Sequence, residues 1–315
     1  MTVQHTDIDT GRLASWRLLA RNPVTLVSSL VLVVVVAVVT VAANWIVPYG
    51  VNDVDVPNAL APPSGSHWLG TDELGRDVLS RVLVATQASM RIAVVSVAFA
   101  VVVGVTVGLI AGYRGGWLDA VLMRIVDVMF AFPVLLLALA VVAILGPGVT
   151  TTILAIGIVY TPIFARVARA STLGVRTEPY VSVSRAMGAS DLYILRRHIL
   201  PNIAGPLIVQ TSLSLAFAIL SEAALSFLGL GIQPPQPSLG RMIFDSQGFV
   251  TMAWWMAVFP GAAIFVIVLA FNLFGDGLRD MLDPKQRTTI EARRREPNRQ
   301  ARRREPTRQA RRRER

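Results

Sequence analysis

Six long apolar runs with few charged residues form the main pattern along this 315-residue chain. A helix of about 20 apolar residues crosses a bilayer core about 30 Å thick, and the runs are near that size. Short helices in the core of a large soluble protein are the alternative, but six such runs favour an all-α membrane protein. Gly146-Pro147-Gly148 divides one long run into two helices joined by a tight turn. The predicted spans lie at about 24–43, 91–114, the two parts of 128–165, 205–230 and 252–275.

Charged residues between the runs indicate how the chain is oriented. Loops rich in Lys and Arg tend to stay on the cytoplasmic side of a membrane. With a cytoplasmic N-terminus, most arginines between spans fall inside, and Arg76, Arg81, Arg91 and Arg241 remain outside. We therefore predict that both termini are cytoplasmic. The predicted units are a cytoplasmic segment 1–23, a first helix 24–47, an extracytoplasmic loop 48–90, a five-helix core 91–284 and a tail 285–315.

Composition excludes several classes of protein. Hydrophobic residues make up 53% of the chain and charged residues only 16%, against about 25% in soluble domains. The net charge of +10 comes from residues 285–315, which hold 14 of the 30 basic residues and 4 of the 20 acidic ones. The chain has no cysteine, and therefore no disulfide, thiolate metal site or cysteine nucleophile. The composition argues against a soluble enzyme, and the lack of cysteine excludes thiol redox chemistry.

The tail repeats the pattern Ala-Arg-Arg-Arg-Glu-Pro every nine residues from position 292. Because this segment has no apolar periodicity, we expect it to be disordered. Its arginines are suited to anionic lipid head groups at the cytoplasmic surface, and a solvated extension without a specific role is the alternative. No aromatic residues alternate with the arginines, so we expect membrane lipid, and no nucleic acid, as a partner.

Five residues inside the runs bear on packing and polarity. Gly104, Gly108 and Gly112 lie four apart on one helical face, which predicts close contact with another helix. Glu222 lies inside the fifth run, where a carboxylate near a helix centre costs about 2.5 to 3.5 kcal/mol on insertion. We therefore expect Glu222 to face protein or water. Asp127 lies at a predicted span boundary and is expected to be an interfacial anchor.

The long cytoplasmic loop at 177–201 predicts two short helices around one glycine. Thr177 is expected to cap the first helix, and Gly188 to end it in a left-handed conformation. Ser190 is expected to cap the second helix, with Asp191 in its first turn, and Pro201 to stop it. Leu192 and Leu195, with the nearby arginines, suit a groove on a partner protein. A helix lying on the membrane surface is the alternative.

Several kinds of catalytic chemistry lack the residues they need. A phosphate-binding loop of the Walker A type requires Lys before Ser or Thr, but the only lysine is Lys285, and Gln286 follows it. The three histidines are scattered without ligand spacing, so we predict no metal site. A Gly-x-Ser-x-Gly nucleophile motif is absent from the sequence. We therefore predict no catalytic residue and no ATP hydrolysis by this chain.

Four motifs in order resemble the ABC importer permeases of the dipeptide/oligopeptide/nickel group, specifically the C-type subunit. They are Gly70-Thr-Asp-Glu-Leu-Gly-Arg-Asp77, the EAA-like stretch from Tyr180 through Gly188 to Pro201, Leu225-Ser-Phe-Leu-Gly-Leu-Gly231, and Gly275-Asp-Gly-Leu-Arg-Asp280 followed by Asp283-Pro284. The resemblance covers about residues 20–284. Ser182, Val183 and Ser184 stand where the family has Glu-Ala-Ala.

The resemblance implies a binding-protein-dependent (type I) permease fold with six transmembrane helices and an ATPase-docking role for the loop at 177–201. The coupling residues would be Arg185, Gly188, Ala189, Asp191, Leu192, Leu195, Arg196, His198, Leu200 and Pro201, and the outer signature Gly70, Thr71, Asp72, Gly75, Arg76 and Asp77. The implied partners are a homologous B-type permease, two ATPase subunits or domains that bind ATP and Mg, and an extracytoplasmic substrate-binding protein. The implied location is the bacterial inner membrane, and this chain itself would bind no cofactor.

The resemblance leaves several roles open. Glu222 would lie near the translocation path or make a structural hydrogen bond. Gly70-Thr71-Asp72-Glu73 is expected to start a helix capped by Thr71, and contact with the binding protein is the alternative. Imported peptides or similar small solutes are expected as substrates. A channel or secondary transporter without an ATPase, and a membrane-anchored arginine-rich interaction protein, are the competing functions.

Overall fold

A computed structural model describes residues 23–282, except the side chains of residues 23–29, 44 and 280–282. The arginines predicted for the cytoplasmic N-terminus, Asp283-Pro284 and the repeat tail lie outside these residues. The described part is helical, with no strand and one isolated bridge between Thr71 and Asp77. Its α-helices are α1 Pro23–Ile46, α2 Val78–Arg114, α3 Gly116–Phe130, α4 Val134–Leu145, α5 Val149–Val175, α6 Pro179–Ala186, α7 Asp191–Ile194, α8 Leu200–Phe227, α9 Leu239–Ser246 and α10 Trp255–Leu282.

Four helices in the described range are long and apolar enough to cross a membrane. They are Val78–Arg114, Val149–Val175, the continuous helix Asp191–Phe227 and Trp255–Arg279. Helices α3 and α4 pass the same test together, although a bend of 92° separates them. The apolar part of α1, Leu30–Ala43, is shorter. The predicted all-α membrane architecture is confirmed, and the count of six spans stays a prediction.

Two predicted boundaries need correction. The third span is not one helix from residue 128, because the chain breaks at Ala131–Pro133 between α3 and α4. Pro133 has no N–H and disfavours helical backbone at the residue before it, which separates the two helices. Helix α2 begins at Val78, whereas the loop was predicted to continue to residue 90. The helix starts earlier because the Asp77 side chain caps it, accepting a hydrogen bond from the Ser80 N–H at 2.8 Å. The break between α4 and α5 at Gly146-Pro147-Gly148 is confirmed.

The core is centred on the parallel pair α2 and α5. A Cβ atom at Gly104 would lie 2.5 Å from the carbonyl oxygen of Thr161, and one at Gly108 would lie 2.4 Å from that of Ala165. Only glycine permits the two backbones to approach so closely. The predicted close helix contact through the glycine face is confirmed.

The Gly108→Ala variant should be destabilised by about 1 to 3 kcal/mol, because the added methyl group has to displace backbone rather than a flexible side chain. The matched control is Gly261→Ala in α10, where a Cβ atom would meet nothing within 4 Å. That variant should be neutral or slightly stabilised, because alanine favours helix over glycine. Thermal unfolding in detergent measures both. Equal melting temperatures for the two variants would contradict the packing argument.

Candidate functional site

The loop at 177–201 folds around Gly188. Helix α6 ends at Ala186, and Gly188 follows with a φ of +82°. Its N–H donates to the Arg185 carbonyl oxygen at 3.0 Å, and the Ala189 N–H donates to that of Ser184 at 3.1 Å. These bonds close the C-terminus of α6 in the manner typical of a left-handed glycine. The predicted left-handed conformation of Gly188 at the end of α6 is confirmed, and its part in coupling stays a prediction.

The two caps predicted for this loop have different outcomes. Ser190 caps α7, since its side chain accepts from the Tyr193 N–H at 3.3 Å. The prediction for Thr177 is wrong, because its hydroxyl donates to the Gly174 carbonyl oxygen at 2.8 Å and Glu178 occupies the cap position without a side-chain bond. Thr177 therefore donates a hydrogen bond to a carbonyl group at the C-terminus of α5 and does not accept one from an N–H group at the start of α6.

Pro201 does not end the second helix, contrary to the sequence-based expectation. Helix α7 continues through a π-helical turn, Leu195–Ile199, into α8, so that residues 191–227 form one continuous helix. Pro201 lies in the first turn of α8, directly after the wider turn. A change from i→i+5 to i→i+4 bonding leaves backbone groups without regular partners, so a residue without an N–H is tolerated there.

One face of the loop is apolar, basic and exposed. The most exposed apolar side chains are Met187 at 81% and Leu192 at 63%. Arg185, Arg196 and Arg197 are also exposed. Ala189 and Leu195 are partly buried against the core, so of the two leucines predicted to face a partner only Leu192 is exposed.

Side chains on the other side of the loop attach it to α2. The Tyr113 hydroxyl, near the end of α2, donates to Asp191 Oδ1 at 2.7 Å, and the Arg185 guanidinium lies 5.4 Å from the Tyr113 ring centre. At the start of the loop, Arg176 donates to the Gly112 carbonyl oxygen at 2.7 Å. His198 and Ser184 are 3.0 Å apart, which joins the two short helices. Sequence reasoning missed Tyr113, since nothing in its local sequence shows a contact made 78 residues away.

Glu222, a residue of α8, is fully buried where α8 packs against α2. Its Oε2 accepts from the Ser89 hydroxyl at 2.5 Å and its Oε1 from the Ser226 hydroxyl at 2.7 Å. The Ser226 hydroxyl in turn accepts from the Ile232 N–H at 3.3 Å, which fixes the chain after α8. This is the structural hydrogen bond considered for Glu222, and its placement on a translocation path stays a prediction.

The outer signature at 70–77 is a tight turn rather than the start of a capped helix. Asp72 accepts from the backbone N–H groups of Leu74 at 3.0 Å and Arg76 at 2.9 Å, and from Arg76 Nε at 2.7 Å. Thr71 caps no helix, because its hydroxyl donates to the Asn58 carbonyl oxygen at 2.5 Å. The N-terminal cap of α2 is Asp77, which the sequence analysis identified as part of the motif but not as a cap.

Long-range contacts fix this turn to the helices. The Trp255 indole N–H, at the start of α10, donates to the Thr71 carbonyl oxygen at 3.0 Å. His67 Nδ1 lies 3.0 Å from Asp77 Oδ1, next to the start of α2. Gly70 and Gly75 both have positive φ, and a Cβ atom at Gly75 would overlap the Asp55 carbonyl oxygen. The positive φ at both positions, and the lack of space for a side chain at Gly75, explain why glycine occupies them.

A small cleft beside the turn contains several charges at close range. Its walls include Asp72, Glu73, Arg76, Arg81 and Asp245. Glu73 pairs with Arg76 through one oxygen at 2.8 Å, while its other oxygen is buried without a hydrogen bond among the described residues. Burial raises the pKa of Glu73 above its ordinary value, and the Asp72 and Asp245 carboxylates act in the same direction.

The raised pKa of Glu73 predicts how stability depends on pH. The folded protein holds the proton more tightly than the unfolded chain, so this contribution to stability is fully present below the unfolded pKa of about 4.3 and is lost as pH rises through the folded pKa. Glu73→Gln should therefore raise the melting temperature at neutral pH and flatten its decrease above about pH 4.3. Glu178→Gln, at an exposed carboxylate, is the control. A wild-type slope in Glu73→Gln would contradict this account.

Two family models match the chain. The model described as "Binding-protein-dependent transport system inner membrane component" matches residues 104–288, and the one described as "N-terminal TM domain of oligopeptide transport permease C" matches residues 12–63. The first match includes the whole loop at 177–201, α8 and Glu222. The second match includes α1 and part of the outer loop.

Curated proteins are similar along most of their length. The glutathione transport system permease protein of Pectobacterium atrosepticum is 44% identical over 86% of this chain and 90% of its own length. The dipeptide transport system permease protein of Alkalihalophilus pseudofirmus is 41% identical over 90% of this chain and 93% of its own. The probable D,D-dipeptide transport system permease protein of Escherichia coli K12 is 44% identical over 85% and 90%.

A solved structure has a similar fold. The inward-facing methionine ABC transporter MetNI contains a chain with a TM-score of 0.54 and 20% sequence identity. The match covers 65% of this chain and 96% of that one. At this level of identity the comparison supports the fold alone.

Proposed function

Because the chain belongs to the family of binding-protein-dependent transport system inner membrane components, we propose that its loop at 177–201 couples solute import to separate ATPase subunits. The chain is a permease subunit of the dipeptide/oligopeptide type and a multi-pass protein of the bacterial plasma membrane. The proposed assembly adds a homologous B-type permease, two ATPase subunits or domains and an extracytoplasmic substrate-binding protein.

The exposed face of the loop carries this proposal. Val183, Met187, Leu192 and Tyr193 are each more than half exposed, although they are apolar or aromatic. Several exposed apolar side chains within one short segment outside the membrane favour a protein contact. The flanking arginines favour a partner cleft with an apolar floor and an acidic rim.

The rigid attachment of the loop supports a transmitting role. The contact of Tyr113 with Asp191 and that of Arg176 with Gly112 link the loop to the cytoplasmic end of α2 at two points. A movement imposed on the exposed face would therefore reach α2, and through Ser89 and Glu222 the outer half of α8. The permease would alternate between outward-facing and inward-facing arrangements, and ATP shifts that equilibrium only if it favours one of them.

We assign ATP hydrolysis to the partner subunits. Lys285 is the only lysine of the sequence and is not followed by Ser or Thr, so a Walker A motif is absent. ATP and Mg would bind the ATPase subunits, and this chain would carry no cofactor and no catalytic residue.

We propose short peptides, or similar small solutes, as the imported molecules. Three relatives above 40% identity are named for glutathione, dipeptides and D,D-dipeptides, all of which are small peptides. In such a system the substrate-binding protein is expected to contribute much of the selectivity. Uptake of a panel of labelled di- to pentapeptides, measured with and without this chain, tests the class.

The docking assignment is tested by a photo-crosslinking amino acid at Met187, which is more exposed than the partly buried Ala189. After illumination of native membranes, an ATPase containing a Walker A motif should be attached to this chain. The control is the same amino acid at Trp68, which is 72% exposed in the outer loop and should attach no ATPase. Attachment of no ATPase at Met187, in a folded preparation, would instead support a channel or secondary transporter.

A further inference from the structure

The junction of α3 and α4 exposes both apolar and charged side chains. We define the elbow as residues 127–136 together with Arg166 of α5. Phe132 is 55% exposed and Leu136 is 58% exposed. Asp127 Oδ1 and Arg166 NH2 form an ion pair at 2.6 Å, and the Arg166 guanidinium lies 3.8 Å from the Phe130 ring centre. This pair holds the elbow against α5.

The helix geometry places the elbow at the depth of the hydrocarbon core. Helix α5 has 27 residues and is about 40 Å long at 1.5 Å per residue, so it extends beyond a core of about 30 Å. Arg166 is about 25 Å along α5 from Val149, with about 13 Å of helix still to come. The ion pair therefore lies within the inner leaflet rather than beyond it. At this depth Asp127 would not be the interfacial anchor that its sequence position predicted.

The chemistry of the elbow is unsuited to lipid. The side chains of Arg166 and Asp127 are 48% and 53% exposed, although paired charges inside a membrane normally face protein or a water-filled cavity. At the start of α4, Pro133 occupies the cap position and no side chain satisfies the first N–H groups. Unsatisfied backbone groups are tolerated at this depth only where protein or water covers them.

Two comparisons within the chain show that the exposure of Asp127 and Arg166 is not general for its charged groups. Asp119 and Arg169 join the same helices α3 and α5, and their side chains are less exposed, at 16% and 34%. Glu222, another acid within a predicted span, is fully buried and accepts hydrogen bonds from two serines. Asp127 and Arg166 are instead left open beside a bend that interrupts the span.

We propose that the elbow borders a water-filled passage at the inner leaflet, with Asp127 and Arg166 on its wall. This inference rests on the proposed function, because the passage is the one through which an imported solute would leave towards the cytoplasm. It assigns the polar wall of that passage to the elbow rather than to Glu222. A zwitterionic peptide would meet one charge of each sign there.

The absence of cysteine permits a direct test with single-cysteine variants. Phe132→Cys and Leu136→Cys are introduced into the complete transporter in lipid nanodiscs, without nucleotide, and treated with the charged reagent 2-sulfonatoethyl methanethiosulfonate. Trp68→Cys, in the outer loop, is the accessible control. Phe265→Cys is the membrane control, at a residue 65% exposed in the middle of α10. Each variant is first shown to retain its partner subunits.

We expect both elbow variants to react within about tenfold of the Trp68→Cys rate, and Phe265→Cys about 100-fold more slowly, because a thiol in apolar surroundings forms little thiolate. Elbow cysteines as slow as Phe265→Cys would overturn the inference. A photoactivatable lipid attached at the elbow would then identify lipid there, and a cross-link to the second permease would identify a subunit contact. Wild-type uptake is measured separately, so that failure of the elbow and failure of the importer function give different results.

Discussion

Replacing Gly188 with proline should abolish ATP-driven uptake while leaving the chain inserted in the membrane. Proline cannot adopt the φ of +82° found at Gly188 and has no N–H to donate to the Arg185 carbonyl oxygen. A cost of about 3 kcal/mol corresponds to about a 100-fold loss of the docked loop conformation. Solute uptake into membrane vesicles, with chain abundance measured in parallel, records the effect.

Two further variants separate the effect of the left-handed backbone conformation from the effect of replacing a glycine. Gly188→Ala keeps the N–H but has to adopt a left-handed conformation, at about 1 to 2 kcal/mol, and should reduce uptake partially. Gly65→Ala, at an outer-loop glycine with open space and no positive φ, should leave uptake unchanged. Wild-type uptake by Gly188→Pro, in membranes where the chain is assembled, would refute the coupling role of this turn.

Asp72→Ala should destabilise the outer half of the protein by about 3 to 5 kcal/mol, because it leaves the buried Arg81 without its paired carboxylate and leaves Arg76 with Glu73 alone. Arg76 Nε is 2.7 Å from Asp72 Oδ2, and Arg81 Nε is 3.4 Å from the same oxygen in an ion pair without a hydrogen bond. The side chains of Asp72 and Arg81 are only 6% and 5% exposed. Thermal unfolding in detergent measures the loss.

Two controls show whether the buried charge is responsible. Asp72→Asn keeps an acceptor for the backbone N–H groups and should be less destabilising than Asp72→Ala. Asp53→Ala removes an exposed acid from the same loop, which accepts from the Gly50 N–H at 3.1 Å, and should have little effect. An unchanged melting temperature in Asp72→Ala would show that the cleft is hydrated enough to hold both arginines.

The sequence correctly predicted features that depend only on residues close together in the chain. Gly188 ends α6 because glycine adopts a left-handed backbone easily. Ser190 caps α7 because its short side chain accepts a hydrogen bond from a backbone N–H in the first turn. The face of Gly104 and Gly108 packs closely because a helical repeat of four brings small residues into one line. The predictions for Thr177 and Thr71 were wrong because each hydroxyl donates to a carbonyl oxygen elsewhere, and the prediction for Pro201 was wrong because a π-helical turn precedes it.

The sequence by itself determined the apolar spans, the family resemblance and the positions of the loop and the outer motif, since hydropathy and motif order are properties of consecutive residues. The tertiary structure decided which polar groups meet. Tyr113 reaches Asp191, Ser89 reaches Glu222, and Arg166 reaches Asp127 only once the helices pack. The free energy of a buried or membrane-embedded charge depends on its partner and on access to water, and both are set by residues far apart in the chain.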